Sequence, residues 1–256
     1  MRALGLVPVM ILLAACSTQA TGPNGKKLDL AASARDRVSI AAEYLRQGDS
    51  ENAQVQLSKA LKLDPSSAEA HGMMGVLLER DGEPVRADKE YRRALSLSPD
   101  DSQTHNNYAI FLFKNARYKD AQKQFEAASS DLAYDRRAQA YEGLGLSWLK
   151  LNDNDAAARA FMRALKLDSE LPGATLQMGI RRYAEANYDE ARLFYKRYLQ
   201  LTESSAQSAE SLWLGIRLER RFGNKNALAS YELALKNLYP DSPEYKLYQE
   251  SLKAAQ

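Results

Sequence analysis

The sequence predicts an all-α fold: a superhelix of about six helix–turn–helix units, closed by a C-terminal capping helix. Three observations predict it. First, Pro65 and Pro99 stand 34 residues apart in matching surroundings, Leu63-Asp64-Pro65 and Leu97-Ser98-Pro99. Second, Ala60-Leu61-Lys62-Leu63 returns as Ala94-Leu95-Ser96-Leu97 and again as Ala164-Leu165-Lys166-Leu167. Third, Cys16 is the only cysteine in 256 residues. No disulfide framework can staple the chain, so packing between neighbouring units must hold it.

A period of 34 residues is that of the tetratricopeptide repeat, two helices A and B joined by a tight turn. The first unit, 34–67, carries Ala41, Tyr44, Ala53, Leu57, Ala60 and Pro65 at the signature positions. The second, 68–101, carries Gly75, Leu78, Ala87, Tyr91, Ala94 and Pro99. The third, 102–135, keeps Ala109, Leu112, Ala121, Phe125 and Ala128 but loses its proline. The fourth, 138–171, has Gly145, Trp148, Ala157, Phe161 and Ala164. The fifth, 172–205, keeps Gly179, Ala191 and Tyr195, with Tyr198 in an alanine position. The sixth, 208–241, keeps Gly215, Leu218, Ala227, Tyr231 and Ala234. Insertions at 136–137 and 206–207 break the period and are expected in loops between units.

The pattern has a direct physical meaning. Small residues such as Gly75 and Ala87 belong where helices A and B cross closely, and Tyr91 and Leu78 fill the space around them. One unit cannot bury its apolar stripe alone, so neighbours stack and share a core. Pro65 and Pro99 end helix B, since proline cannot donate to the preceding turn. Ser66-Ser67-Ala68-Glu69 offers a capping box for the next helix A. After the sixth unit, Ser242 can cap a last helix with Pro243 at its first position. Residues 244–252 are then expected over the open end of the stack. Helix A of each unit is expected to line the concave face of a right-handed superhelix.

The N-terminus carries an address. Arg2 and the apolar run Ala3 to Leu13 lead into Leu13-Ala14-Ala15-Cys16, which is a secretory signal over 1–15. The run is too short to span a bilayer, which takes about 20 residues. Ending such a signal on Leu-Ala-Ala-Cys resembles a bacterial lipobox. That resemblance implies that Cys16 is acylated and becomes the mature N-terminus. Residues 16–27, small, polar and bearing glycine and proline, read as a flexible tether, and 28–256 as the repeat domain. Ser17 follows the cysteine where an aspartate would imply retention in the inner membrane, so the expected place is the periplasmic face of the outer membrane.

Several functions are excluded by what the chain lacks. Thirty-five basic and 33 acidic residues leave a net charge of +2 without a charge block, so nucleic acid is not an expected partner. Neither a glycine-rich phosphate loop nor a Gly-x-Ser-x-Gly elbow is present. His71 and His105 are 34 apart, at one position of successive units. They would suit a metal pair only if further ligands joined them, and none is evident. An enzyme, a cofactor, a metal and a small-molecule substrate are therefore not expected.

A binding scaffold remains, and a monomer is the expected state. Projection of helix A assigns Val38, Leu45, Arg46, Met73, Val76, Arg80, Asn106, Asn107, Ile110 and Phe113 to an apolar groove rimmed by charge. Exposed apolar strips of this kind mark partner sites. Two amides on such a helix can bond the backbone of an extended peptide in both directions.

Three stretches resemble one family, the type IV pilus biogenesis lipoproteins called PilF or PilW. They are the lipobox followed by six repeats, Asn106-Asn107-Tyr108-Ala109-Ile110-Phe111-Leu112, and Ser211 to Leu218 with Leu238-Tyr239-Pro240 beyond. Ala109 stands where the family has glycine. The resemblance implies a secretin pilotin: a lipoprotein that carries a pilus secretin subunit to the outer membrane and promotes its multimerisation, hence pilus biogenesis and twitching motility. It implies binding by the first three units and a more structural role for the last. The alternative expectation is a scaffold for another envelope assembly, serving cell-wall enzymes or β-barrel insertion.

Overall fold

The computed structural model describes residues 29–203 and 207–254. The expected signal peptide, Cys16 and the expected tether lie outside the described residues. Thirteen helices and no strand occur among the described residues. They pair into units as α1 Leu30–Gln47 with α2 Ser50–Leu63, α3 Ala68–Arg80 with α4 Pro84–Leu97, and α5 Ser102–Lys114 with α6 Tyr118–Ser130. Next come α7 Arg137–Lys150 with α8 Asn154–Leu167, α9 Pro172–Ala184 with α10 Tyr188–Leu201, and α11 Ala209–Phe222 with α12 Lys225–Leu238. The last helix, α13 Pro243–Lys253, closes the stack.

Each helix starts and stops for local reasons. The side chains of Asp49, Asp101, Asp153, Asn187 and Asn224 accept a backbone N–H of the first helical turn that follows, which satisfies one of the donors a helix N-terminus leaves free. The capping box is shifted by one residue from the expected position. Ser67, not Ser66, is the cap and accepts from Ala70 N, so Glu69 stands one position too early to reach back. Ser66 instead donates to Asp64. Ser242 caps α13 through Tyr245 N with Pro243 in its first turn, as expected. The 136–137 insertion is half loop and half helix: Arg136 precedes α7 and Arg137 begins it.

Helix A of each unit packs on its own helix B and on helix A of the next, while helix B reaches the following unit through that unit's helix A. Among the described residues α13 occupies the place of a seventh helix A, resting on α11. The crossings are as tight as the small residues require. A Cβ at Gly145 would lie 2.5 Å from the ring of Phe161, and one at Gly75 would lie 2.9 Å from that of Tyr91. One continuous apolar core runs from Ala34 to Met178. Two smaller clusters follow, one around Leu176, Tyr195 and Leu218, the other around Leu212, Ile216 and Leu235.

Candidate functional site: a groove across units 2 to 4

The helix A face opens into a recess of about 690 Å³ between units 2 and 3. Its walls are Val76, Glu79 and Arg80 of α3 and Asn107, Ile110 and Lys114 of α5. Its floor is aromatic. Tyr91 is fully buried, 5.2 Å from the Tyr108 ring and 5.5 Å from that of Phe111. The Tyr91 hydroxyl donates to Glu79 Oε2 at 3.2 Å, and burial pushes its pKa well above the ordinary phenol value, so it stays protonated. Glu79 also receives Lys114 Nζ at 2.8 Å, which ties unit 2 to unit 3 across the recess.

A second recess, of about 370 Å³, lies on the other side of α5, between units 3 and 4. Asn106, Phe113, Phe125, Glu142 and Leu146 line it, with Arg136 and Gln139 at its edge, and it shares Ile110 and Lys114 with the first. Glu142 accepts the backbone N–H of Ala174 at 2.7 Å. Burial nevertheless raises its pKa above the ordinary carboxylate value. Gly143 makes room for the Phe125 wall, since a Cβ there would fall 2.4 Å from the ring.

The expected groove residues divide accordingly. Val76, Arg80, Asn107 and Ile110 meet in the larger recess; Asn106, Ile110 and Phe113 meet in the smaller. Val38 and Leu45 do not line the groove. They are 1% and 8% exposed, inside the core that α1 forms with α2 and α3. The helical projection placed them on the right side of α1, but α3 lies across that side and covers it. Met73 is half-buried against the same core, and Arg46 is exposed and paired with Glu43. Arg80 keeps its charge at the rim but is oriented toward unit 1, because its Nη1 donates to the Leu45 carbonyl at 2.5 Å. Gln139 and Glu142 of unit 4, and Arg136 of the insertion before it, are not among the expected groove residues. Their signal was available in the two-glycine stretch Gly143 to Gly145, which allows Phe125 and Phe161 to approach α7.

The histidines do structural work. His71 Nδ1 is 2.6 Å from Glu90 Oε2 and its Nε2 is 3.2 Å from the Pro65 carbonyl. His105 repeats this with Gln124 and the Pro99 carbonyl, both at 2.7 Å. Each ring therefore fastens its helix A to its own helix B and to the preceding proline turn. Among the described residues no group of three or more His, Cys, Asp or Glu is placed to hold a metal, and no helix is long and apolar enough to cross a membrane.

Known proteins share this architecture. Models of the tetratricopeptide repeat match residues 39–102, 109–173 and 90–123. The type IV pilus assembly protein PilF of Pseudomonas aeruginosa is 39% identical over 217 residues, which is 84% of this chain and 85% of that protein. The chain belongs to the PilF family of tetratricopeptide-repeat proteins. A solved structure of Pseudomonas aeruginosa PilF superposes with a TM-score of 0.80 at 37% identity, covering 88% of this chain and all of that one. The crystal structure of PilW, a widely conserved type IV pilus biogenesis factor, gives 0.68 at 25% identity over 84% of this chain and 98% of that one.

The PilF-like motifs fall in two different settings. Asn106 to Leu112 forms the middle of α5, between the two recesses. Ser211 to Leu218 lies on α11, where Leu212, Leu214, Ile216 and Leu218 are all buried. Arg217, in that second motif, stacks 4.4 Å from the Tyr183 ring and 5.3 Å from Trp213. Burial lowers its pKa from the ordinary guanidinium value.

Proposed function

We propose that this PilF-family protein is a pilotin: a lipid-anchored scaffold that binds a type IV pilus secretin and promotes its localisation and multimerisation in the outer membrane. The observation that carries the reading is the pair of open, apolar recesses on the helix A face, in a chain of this family. Acylation at Cys16 would supply the address, and the groove would supply the specificity. Linking the two raises the effective concentration of bound cargo at the membrane. Bacterial lipoproteins carry several acyl chains, and more than one chain is what makes an anchor stable. The protein acts here as a monomeric binding scaffold without enzymatic activity, cofactor or small-molecule substrate, and its contribution to pilus biogenesis and twitching motility follows from secretin assembly.

The test is membrane fractionation of a deletion strain, blotted for the pilus secretin and its heat-stable multimer. Loss of multimer from the outer membrane, restored fully by wild type and not by Cys16→Ala, is the expected result. An unchanged multimer in the deletion strain overturns the pilotin reading and points to another envelope assembly.

A further inference from the structure

The helix B face of units 2 to 4 is charged differently from the groove on the helix A face. Helices α4, α6 and α8 carry nine basic and five acidic residues, whereas α3, α5 and α7 carry four and three. Lys89, Lys123 and Arg159 occupy one position of three successive units, Arg93 and Arg163 another, and Lys166 lies one turn beyond Arg163. All six are exposed. Residues at one position of stacked repeats align, so these cations form a strip across three helices. The repeat spacing disperses them along the chain, which is why no charge block appears in the sequence. Carboxylates of the same helices are engaged elsewhere: Asp88 pairs with Arg92 and Arg117, Asp120 with Arg117, Asp155 with Arg181, and Glu90 meets His71. The six cations of the strip are left without an ion-pair partner among the described residues.

Within the strip a recess of about 200 Å³ opens between α6 and α8. Arg159 and Arg163 stand over a floor of Tyr141, Leu144 and Trp148, and Glu126 is the one carboxylate in the lining. The Arg163 guanidinium lies 5.7 Å from the centre of the Tyr141 ring. Apolar side chains are exposed beside the cations: Met162, between Arg159 and Arg163, is 55% exposed, and Val85 at the start of α4 is 83% exposed. Cations, aromatic rings and exposed apolar side chains on one face make up a surface that lies in the headgroup region of a bilayer. A nucleic acid would use the charge but not Met162 and Val85.

We propose that this helix B face rests on the anionic surface of the bilayer to which the chain is anchored, with Arg159 and Arg163 holding a lipid phosphate over the Tyr141–Trp148 floor. The inference rests on the lipid anchor of the reading above and adds an orientation to it: the groove faces away from the membrane, open to cargo. The length of chain between anchor and body permits this. Residues 17–28 are twelve in number; fully extended they reach about 40 Å, and as a flexible coil about 20 Å. Helix α6, in the middle of the strip, lies two units from the first, which is about 20 Å at the usual 8–10 Å between packed helices.

The test uses the full mature chain, residues 16–256, carrying Cys16→Ser so that no lipid holds it. Its binding is measured to vesicles of phosphatidylcholine alone and of phosphatidylcholine mixed equally with phosphatidylglycerol. Binding is expected only to the mixed vesicles, falling steeply as salt rises. Each cation at an anionic surface contributes about fivefold, so Arg159→Glu/Arg163→Glu should weaken binding by at least about twentyfold. Lys150→Glu/Lys253→Glu changes the net charge equally but lies off the strip, and should weaken binding by less than about threefold. Both variants alter exposed side chains and should melt as wild type does. Orientation is read with the lipidated chain in the mixed vesicles, labelled with a fluorophore at Ser130→Cys or at Gln139→Cys, against a quencher on the lipid headgroup. Quenching is expected at Ser130, on the strip, and not at Gln139, on the groove. Equal binding to both kinds of vesicle, equal loss in the two double variants, or stronger quenching at Gln139 overturns the proposal. So does binding to polyglutamate without binding to the vesicles. The vesicle measurement involves no secretin, so its failure leaves the pilotin reading standing. An unchanged secretin multimer in the deletion strain removes the pilotin reading and leaves the membrane-facing strip.

Discussion

At the scale of single residues, two side chains carry measurable consequences. Glu142 is buried enough that its carboxyl holds a proton more tightly in the folded chain than in the unfolded one. A group of this kind favours folding at low pH, and that contribution is lost as pH rises from the ordinary value of 4.5 through the raised folded value. Glu142→Gln keeps an acceptor for the Ala174 amide and removes the charge. Its urea midpoint should exceed that of wild type at neutral pH, and the difference should vanish at about pH 4. Gly145 illustrates the opposite constraint. Alanine there would press into Phe161, which is 2% exposed and cannot retreat. Gly145→Ala should cost about 1–3 kcal/mol in chemical denaturation, as overpacking does. The pairing of small and large residues was legible in the sequence, because Gly145 and Phe161 recur as Gly75 and Tyr91 a fixed number of residues apart. The burial of Val38, Leu45 and Asn106 was not. Helical projection tells which way a side chain leaves its helix, but not how far the next unit extends over it.

At the scale of elements, the A-to-B turn shows a device that no pattern of small and large residues reveals. Every unit places one residue of that turn in the left-handed region: Gly48, Gly82, Ala116, Asn152, Ala186 and Gly223, with φ between 58° and 88°. Glycine adopts this conformation freely and asparagine tolerates it, whereas alanine is strained by its Cβ. Ala116→Gly and Ala186→Gly should therefore each stabilise the protein, by up to about 1 kcal/mol. A higher urea midpoint with an unchanged slope would bear this out. The sequence hid the device because the six residues differ in type and only their shared position in the unit unites them. Helix ends, in contrast, were readable to within a residue where a proline or a serine marked them. Ser242 and Pro243 sit where expected, and Ser67 took the capping role one position from where Glu69 would have placed it.

At the scale of the whole molecule, the stack is uneven. The core from Ala34 to Met178 is continuous, but units 5 and 6 depend on two smaller clusters. Buried polar atoms without partners among the described residues gather at their junction, including Arg192 Nε, Arg217 Nε and Glu219 Oε2. In repeat proteins stability is nearly a sum of unit and interface terms, so a weak interface lets one end open alone. Hydrogen exchange should show amides of α11 to α13 exchanging well before those of α3 to α8. Uniform protection along the chain would contradict this. Six divergent units and a cap could be counted from the period alone, because each unit's core positions are local in sequence. The division of the core could not, since it depends on whether apolar side chains from different units actually touch.

That division has a mechanical meaning. If the lipid holds the N-terminus and cargo sits across units 2 to 4, any tension between membrane and cargo travels through α1 to α7. All of those helices share the continuous core. The looser C-terminal units hang beyond the point of attachment and carry no load, so the protein can be pulled upon without its weakest joint being strained.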